Sequence, residues 1–273
     1  MTDTIPLTPV EIRALEAVAT YQLVTAKLLQ LAGVGRDLKH LRAALGKLAG
    51  HKLIHARKAA WGFGLGQSPA LYMLTPKGEQ ALAELKGENA PGTARRRMTE
   101  GVENIRHWLG VAEWHIRLRR WAEAEGLRVD WVVTEYSPAP GLKRATQIEW
   151  GTGERYTPDA IAQVMPRDGD GSPRLLVLEY YRGAAGHALK QLDGLRRAST
   201  HKTVETHFNA PRAARYMVIF DTPELRDTVH RKWPDPGSED WRPFFSKTLA
   251  ELDPFNPGWA LPAGDPRPLF PAA

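Results

Sequence analysis

Two acids stand out in the 273 residues. Asp159 follows Pro158 and opens the run Ala160-Ile161-Ala162, and Glu179 closes the run Leu175-Leu176-Val177-Leu178. A carboxylate at the end of such an apolar run needs a partner, because burying it unpaired is costly. One partner is an Arg or Lys, which makes the acids structural. The other is a hard divalent cation such as Mg²⁺, which takes oxygen ligands from one or two carboxylates and from substrate phosphate. Lys190 could swing an amine back toward such a site and Glu113 could add a further carboxylate; the alternative for both is an ordinary solvated helix residue. Tyr180 and Tyr181 are adjacent on a strand-like run, so their side chains point to opposite faces and only one can face the acids. His201, Glu205 and His207 read as surface residues of a loop. The chain has no cysteine, which excludes disulfides, thiolate zinc sites and a cysteine nucleophile.

The elements that must hold these residues read as one domain over 102–253. A long amphipathic helix from about Val102 to Glu125 carries Ile105, Leu109, Ala112, Ile116 and Leu118 with Trp108, Trp114 and Trp121. Strands follow at 127–135, 157–164 and 175–181, then a helix over 183–198, a strand at 215–221 and a helix capped by Thr222 and Pro223. A Pro/Gly loop separates the first two strands, and a turn at 168–173 separates the next two. The tail, 254–273, is rich in proline and reads as extended surface wrapping.

A different chemistry is written into residues 1–88. Thr8-Pro9-Val10-Glu11 has the hydroxyl cap, first-turn proline and third-position glutamate of a helix start. A second helix reads from about Val24 to Leu31, broken by Gly33-Val34-Gly35. A third runs from about Arg36 to Ala49 with Leu38, Leu41, Leu45 and Leu48 in one stripe. Strand-like segments at 53–58 and 70–74 flank the Gly-rich stretch 61–67, and Thr75-Pro76 opens a last helix to Leu85. Helix, helix, helix, hairpin, helix is the order of a winged helix-turn-helix, whose third helix enters the major groove of double-stranded DNA while the wing tracks the backbone. Arg36, Lys39, His40, Arg42 and Lys47 on the third helix, with Arg57 and Lys58 on the hairpin, are the cations that would contact DNA.

Net charge supports this division. Residues 1–100 hold 14 Lys and Arg against 8 Asp and Glu, whereas the remainder holds 23 of each. Such asymmetry is the electrostatic footprint of phosphate binding. Residues 89–101 form a basic linker through Arg95-Arg96-Arg97. No apolar run approaches the ~18 residues of a membrane span, and the N-terminus lacks a signal peptide's basic and apolar regions; with the missing cysteines, this fits a cytoplasmic protein with no membrane partner.

The order helix, three strands, helix, strand resembles the αβββαβ core of the PD-(D/E)XK, restriction-endonuclease-like fold, a mixed sheet within the α/β (α+β) class. That resemblance implies that Asp159 and Glu179 bind Mg²⁺ and that the position two residues beyond Glu179 holds a lysine to activate water; here it is Tyr181. The stretches Ile105–Val111, Trp131–Glu135, Tyr156–Ala160 and Leu178–Gly183, with Lys190 after them, resemble the replication-relaxation family of plasmids and other mobile elements over about Thr8 to Arg231. Its members show Glu-x-Asp-Arg-Gly where this chain has Glu179-Tyr180-Tyr181-Arg182-Gly183. The resemblance implies DNA binding in replication, relaxation or mobilization, with a homodimer and other plasmid replication or transfer proteins as further partners. A metal-dependent nickase using Asp159 and Glu179, or a transcriptional regulator, are the competing expectations.

Overall fold

Burial and capping decide where the helices of the chain begin. In the computed structural model, the described residues are 6–58, 69–88, 102–137, 145–151, 153–166, 172–260 and 265–270. The expected wing tip at 61–67, the linker at 89–101, the core of the turn at 168–171 and the Pro/Gly loop at 138–144 lie outside them. The chain divides into two compact units, Met1–Ile116 and Arg117–Ala273.

In the N-terminal unit, α1 (Pro9–Tyr21) starts at a full capping box: Thr8 N–H donates to Glu11 Oε2 at 2.8 Å, and Glu11 N–H donates back to Thr8 Oγ1. The expected second helix divides. Val24–Thr25 form a two-residue strand, β1, and α2 covers Ala26–Leu31. The reason is Thr25, whose hydroxyl accepts from Leu28 N–H and so caps the helix one residue before its start. Helix α3 (Leu38–Gly50) is capped by Asp37. Strands β2 (Ile54–Lys58) and β3 (Ala70–Leu74) form the hairpin, with β1 added to β3, and α4 (Pro76–Lys86) follows, capped by Thr75 and ended by left-handed Gly87. The element order is therefore the one expected. Leu15, Val18, Leu29, Leu41, Leu45 and Leu48 fill the core, and α5 (Val102–Ala124) adds Ala112 and Ile116 to it. The boundary between units thus falls inside α5 rather than in the linker, where the sequence places it; the apolar stripe at 109, 112 and 116 has the N-terminal core to bury against.

The second unit is built on a five-stranded mixed sheet, so the protein is α/β. Strands β4 (Leu127–Thr134), β7 (Ala160–Pro166), β8 (Arg174–Tyr181) and β9 (Arg215–Phe220) sit where the alternation places strands. Between β4 and β7 lies a small hairpin, β5 (Ile148–Trp150) with β6 (Glu154–Tyr156). Helices α6 (Ala185–Thr200) and α7 (Thr203–His207) connect β8 to β9, and α8 (Pro223–Arg231) connects β9 to β10 (Phe244–Thr248). Sheet order is β10-β9-β8-β7-β4, antiparallel from β4 to β8 and parallel from β8 to β10. Alternation sends Leu175, Val177 and Tyr181 of β8 and Tyr216, Val218 and Phe220 of β9 to one face, against Leu192 and Leu195 of α6 and Val229 of α8.

Strand β10 was not expected. Its Ser246-Lys247-Thr248 looks polar in sequence, yet all five residues are buried. Lys247 is accommodated because its amine donates to Pro254 O at 2.7 Å and sits 5.2 Å from the Trp259 ring. The proline-rich tail is integrated as well: Phe255, Trp259 and Leu269 are buried, and Ala260 pairs with Ser246.

Candidate functional site

One end of the sheet, where β4 and β8 finish and β7 begins, gathers three acids: Glu135, Asp159 and Glu179. Asp159 precedes β7, where its backbone extends the sheet: its N–H donates to Leu178 O at 3.1 Å, and its O accepts from Glu135 N–H at 2.9 Å. The Thr146 hydroxyl donates to Pro158 O and fixes the turn that delivers Asp159. Asp159 Oδ2 accepts from Tyr180 N–H at 2.7 Å. Carboxylate oxygens of Glu135 and Asp159 lie within 4.8 Å of one another. All three acids are buried.

Glu179 shares a strand face with Val177 and Tyr181. Its Oε1 accepts from the Tyr156 hydroxyl at 2.5 Å, and among the described residues no Lys or Arg pairs with it. Burial, and then the Asp159 charge, push the Glu179 carboxyl well above the usual carboxylate range; the Tyr156 hydrogen bond opposes them. Burial, followed by the same acids, also holds the Tyr181 hydroxyl well above the ordinary phenol range. That hydroxyl has no hydrogen-bond partner among the described residues. Tyr181 is therefore a neutral phenol standing where the nuclease-like pattern has an ammonium group. It is a poor covalent nucleophile too, since attack requires the phenolate.

The opposite face of the same strand end is differently engaged. Tyr180 OH donates to Asp221 Oδ1 at 2.6 Å, and Arg182 Nε lies 3.6 Å from Asp221 Oδ2. The split between Tyr180 and Tyr181 follows strand alternation, as expected.

Of the expected site residues, Asp159, Glu179 and Tyr181 come together. Lys190 is exposed on α6, and Glu113 is half-buried on α5 in the N-terminal unit. Glu135 and Tyr156 were not singled out as site residues. Each lies beside an apolar or strand-like segment, but Glu135 meets Asp159 through pairing across strands, and Tyr156 meets Glu179 through a side-chain hydrogen bond from a separate hairpin. Glu205 corrects the reading of a surface loop: it is buried on α7, and its Oε1 accepts from Ala214 N–H at 2.8 Å. His201 and His207 are exposed, as expected.

The acids suit a hard divalent cation. Their donors are oxygen, the Glu135 and Asp159 carboxylates lie close together, and Glu179 holds its proton more firmly than usual because of burial and then the Asp159 charge. Mg²⁺ held there would polarise a phosphodiester and lower the pKa of a bound water.

In the N-terminal unit, α3 buries Leu41, Ala44, Leu45 and Leu48 and turns Lys39, His40, Arg42 and Lys47 to solvent, with Arg36 exposed just before it. Lys47 lies 3.5 Å from Glu11, and His40 Nδ1 lies 3.0 Å from Asp37. Arg36, Lys39 and Arg42 have no carboxylate partner among the described residues. Arg57 is half-buried on β2; the side chain of Lys58 lies outside the described residues.

Residues 15–189 match the model of the replication-relaxation family, well over half of the chain and inclusive of α3, Glu135, Asp159 and Glu179. The chain belongs to the replication-relaxation family. Neither curated proteins nor solved structures gave a match. The replication-relaxation match ends within α6, so β9, β10 and the C-terminal segment lie beyond it. No helix among the described residues is long and apolar enough to cross a membrane.

Proposed function

We propose that this replication-relaxation protein binds double-stranded DNA and acts in the replication, relaxation or mobilization of a plasmid or other mobile element, within the cytoplasm. In this reading the N-terminal unit is a winged helix-turn-helix with α3 as its recognition helix. The observation that carries the reading is the outward row of unpaired cations, Arg36, Lys39 and Arg42, on and before a helix whose other face is fully committed to the core. Solvated cations at one helix face can contact backbone phosphates and can also reach base edges.

The second unit is read as a PD-(D/E)XK nuclease-like domain that keeps its acids but lacks the water-activating lysine. Glu135, Asp159 and Glu179 would hold Mg²⁺. Tyr181, neutral and buried, supplies no cation to stabilise a hydroxide or a developing phosphorane charge. The domain therefore engages DNA without efficient cleavage. A second reading, a metal-dependent nickase, is favoured by one observation, the proximity of the Glu135 and Asp159 carboxylates.

Incubating the purified protein with supercoiled plasmid carrying its own origin region, with Mg²⁺ or Mn²⁺, tests both. The expected result is retarded plasmid that stays supercoiled at saturating protein. Nicking that Asp159→Ala abolishes would establish the nickase instead, and absence of retardation at any protein concentration would overturn the DNA-binding reading itself.

A further inference from the structure

At the end of the second unit's sheet opposite the acids, where β8 and β9 begin, lies an open pocket of about 500 Å³. Arg174 is the first residue of β8 and Arg215 the first of β9, while Arg267 comes from the C-terminal segment. Two of the three acids on its wall are paired with other arginines. Glu239 pairs with Arg242 at 2.7 Å and Asp240 with Arg196 at 3.0 Å, while Glu205 accepts from Ala214 N–H through Oε1 and keeps a buried Oε2 with no hydrogen-bond partner among the described residues. Among the described residues no carboxylate pairs with Arg174, Arg215 or Arg267, and the guanidinium groups of Arg174 and Arg215 make no hydrogen bond to protein.

Aromatic rings hold two of these groups in place. Arg215 lies 4.7 Å from the Phe270 ring centre, and Arg267 lies 4.9 Å from that of Phe245. Positioned but unneutralised, they act on one another. Burial, then the charges of Arg174 and Arg267, bring Arg215 down to about 10, and burial with Arg212 lowers Arg174. Like charges gathered in a half-buried concavity with no carboxylate paired to them directly are unfavourable, and an anion would relieve them. Guanidinium groups with free N–H edges match phosphate oxygens in geometry as well as in charge. The pocket is larger than a lone phosphate needs and falls in the ~300–1,000 Å³ range of small-ligand sites. Ala213, Pro243 and the edge of Phe245 supply the apolar part of the lining for the remainder of a ligand.

We infer that this pocket binds a nucleotide through its phosphate, with Arg174, Arg215 and Arg267 as the anion-binding groups. The nucleotide is either free or the phosphorylated end of a DNA strand. The site is separate from α3 and from the acids, and does not depend on what either does.

Calorimetric titration of the full-length protein with dTMP, thymidine and inorganic phosphate tests it. The expected result is that dTMP binds at least about ten-fold tighter than thymidine or phosphate, and that Arg174→Gln weakens dTMP by about ten-fold or more. Arg267→Gln should do the same, and a thermal melt close to that of the parent shows that each variant is folded. Lys39→Ala with Arg42→Ala should leave dTMP binding unchanged, which separates this site from the DNA-binding surface. Displacement of dTMP by a 5′-phosphorylated oligonucleotide, but not by its 5′-hydroxyl counterpart, assigns the pocket to a strand end; no displacement assigns it to free nucleotide. The inference is overturned if dTMP shows no binding at millimolar concentration. It is equally overturned if thymidine or phosphate binds as tightly as dTMP, or if folded Arg174→Gln and Arg267→Gln bind dTMP as the parent does.

Discussion

Glu179 carries a proton affinity that its surroundings impose, and that has a consequence for stability. An unfolded chain releases this proton near the ordinary carboxylate pKa, whereas the folded protein retains it to higher pH. The unfolded state then holds fewer protons than the folded one, so stability falls as pH rises from about 4.5 through the raised folded value. Glu179→Gln removes this effect while leaving an oxygen for the Tyr156 hydroxyl. In EDTA at pH 8 the variant should be more stable than the parent by about 1–3 kcal/mol, with the difference vanishing below pH 4, as read from denaturant midpoints. A variant less stable at pH 8 would mean that the carboxylate is charged and well paired. The individual acids differ in how readable they are. Asp159 and Glu179 announce themselves as isolated carboxylates bordering apolar runs. Glu135 reaches the site through strand pairing, its N–H to Asp159 O, and Tyr156 through a side-chain hydrogen bond from the separate β5–β6 hairpin to Glu179; no local spacing encodes either.

Elements are legible where side chains and backbone agree. Thr8, Thr25, Asp37, Thr75 and Thr222 each cap the helix that follows, and all five starts stand within two residues of where the sequence places them. Val24 departs from its expected helix because an apolar β-branched residue beside a cap fits a short strand as well as a helix start. Strand β10 escapes because Ser246, Lys247 and Thr248 are polar residues made compatible with burial by partners distant in sequence. At one position the element packing depends on a missing side chain. Thr75 N–H donates to Leu53 O at 3.1 Å, and its hydroxyl lies 2.7 Å from Lys52 O and 2.9 Å from Leu53 O, which draws the start of α4 against the start of β2. A Cβ on Gly78 would stand 2.0 Å from that same oxygen. Backbone cannot yield there, so Gly78→Ala should destabilise the N-terminal unit by about 1–3 kcal/mol, measured by chemical denaturation. An unchanged midpoint would show that α4 is not held in this position.

At the scale of the molecule, charge and architecture divide in the same way. The N-terminal hundred residues hold the entire net positive balance, and there the exposed cations line one face of α3. Residues 101–273 are neutral in sum, with the buried acids Glu135, Asp159 and Glu179 at one end of the five-stranded sheet and Arg174, Arg215 and Arg267 at the other. Charge asymmetry along the chain is visible in composition. This sorting across the sheet is not, because it arises from which strand ends are neighbours.

The central claim is that α3 meets DNA through its unpaired cations, and the salt dependence of binding tests it most directly. Fluorescence anisotropy with labelled double-stranded DNA should give a log–log plot of affinity against salt with a steep negative slope. Lys39→Ala combined with Arg42→Ala should weaken binding and reduce the magnitude of that slope by about 2, close to one unit for each phosphate no longer neutralised. A double variant with unchanged affinity and unchanged slope would place the DNA-binding surface elsewhere and contradict the account.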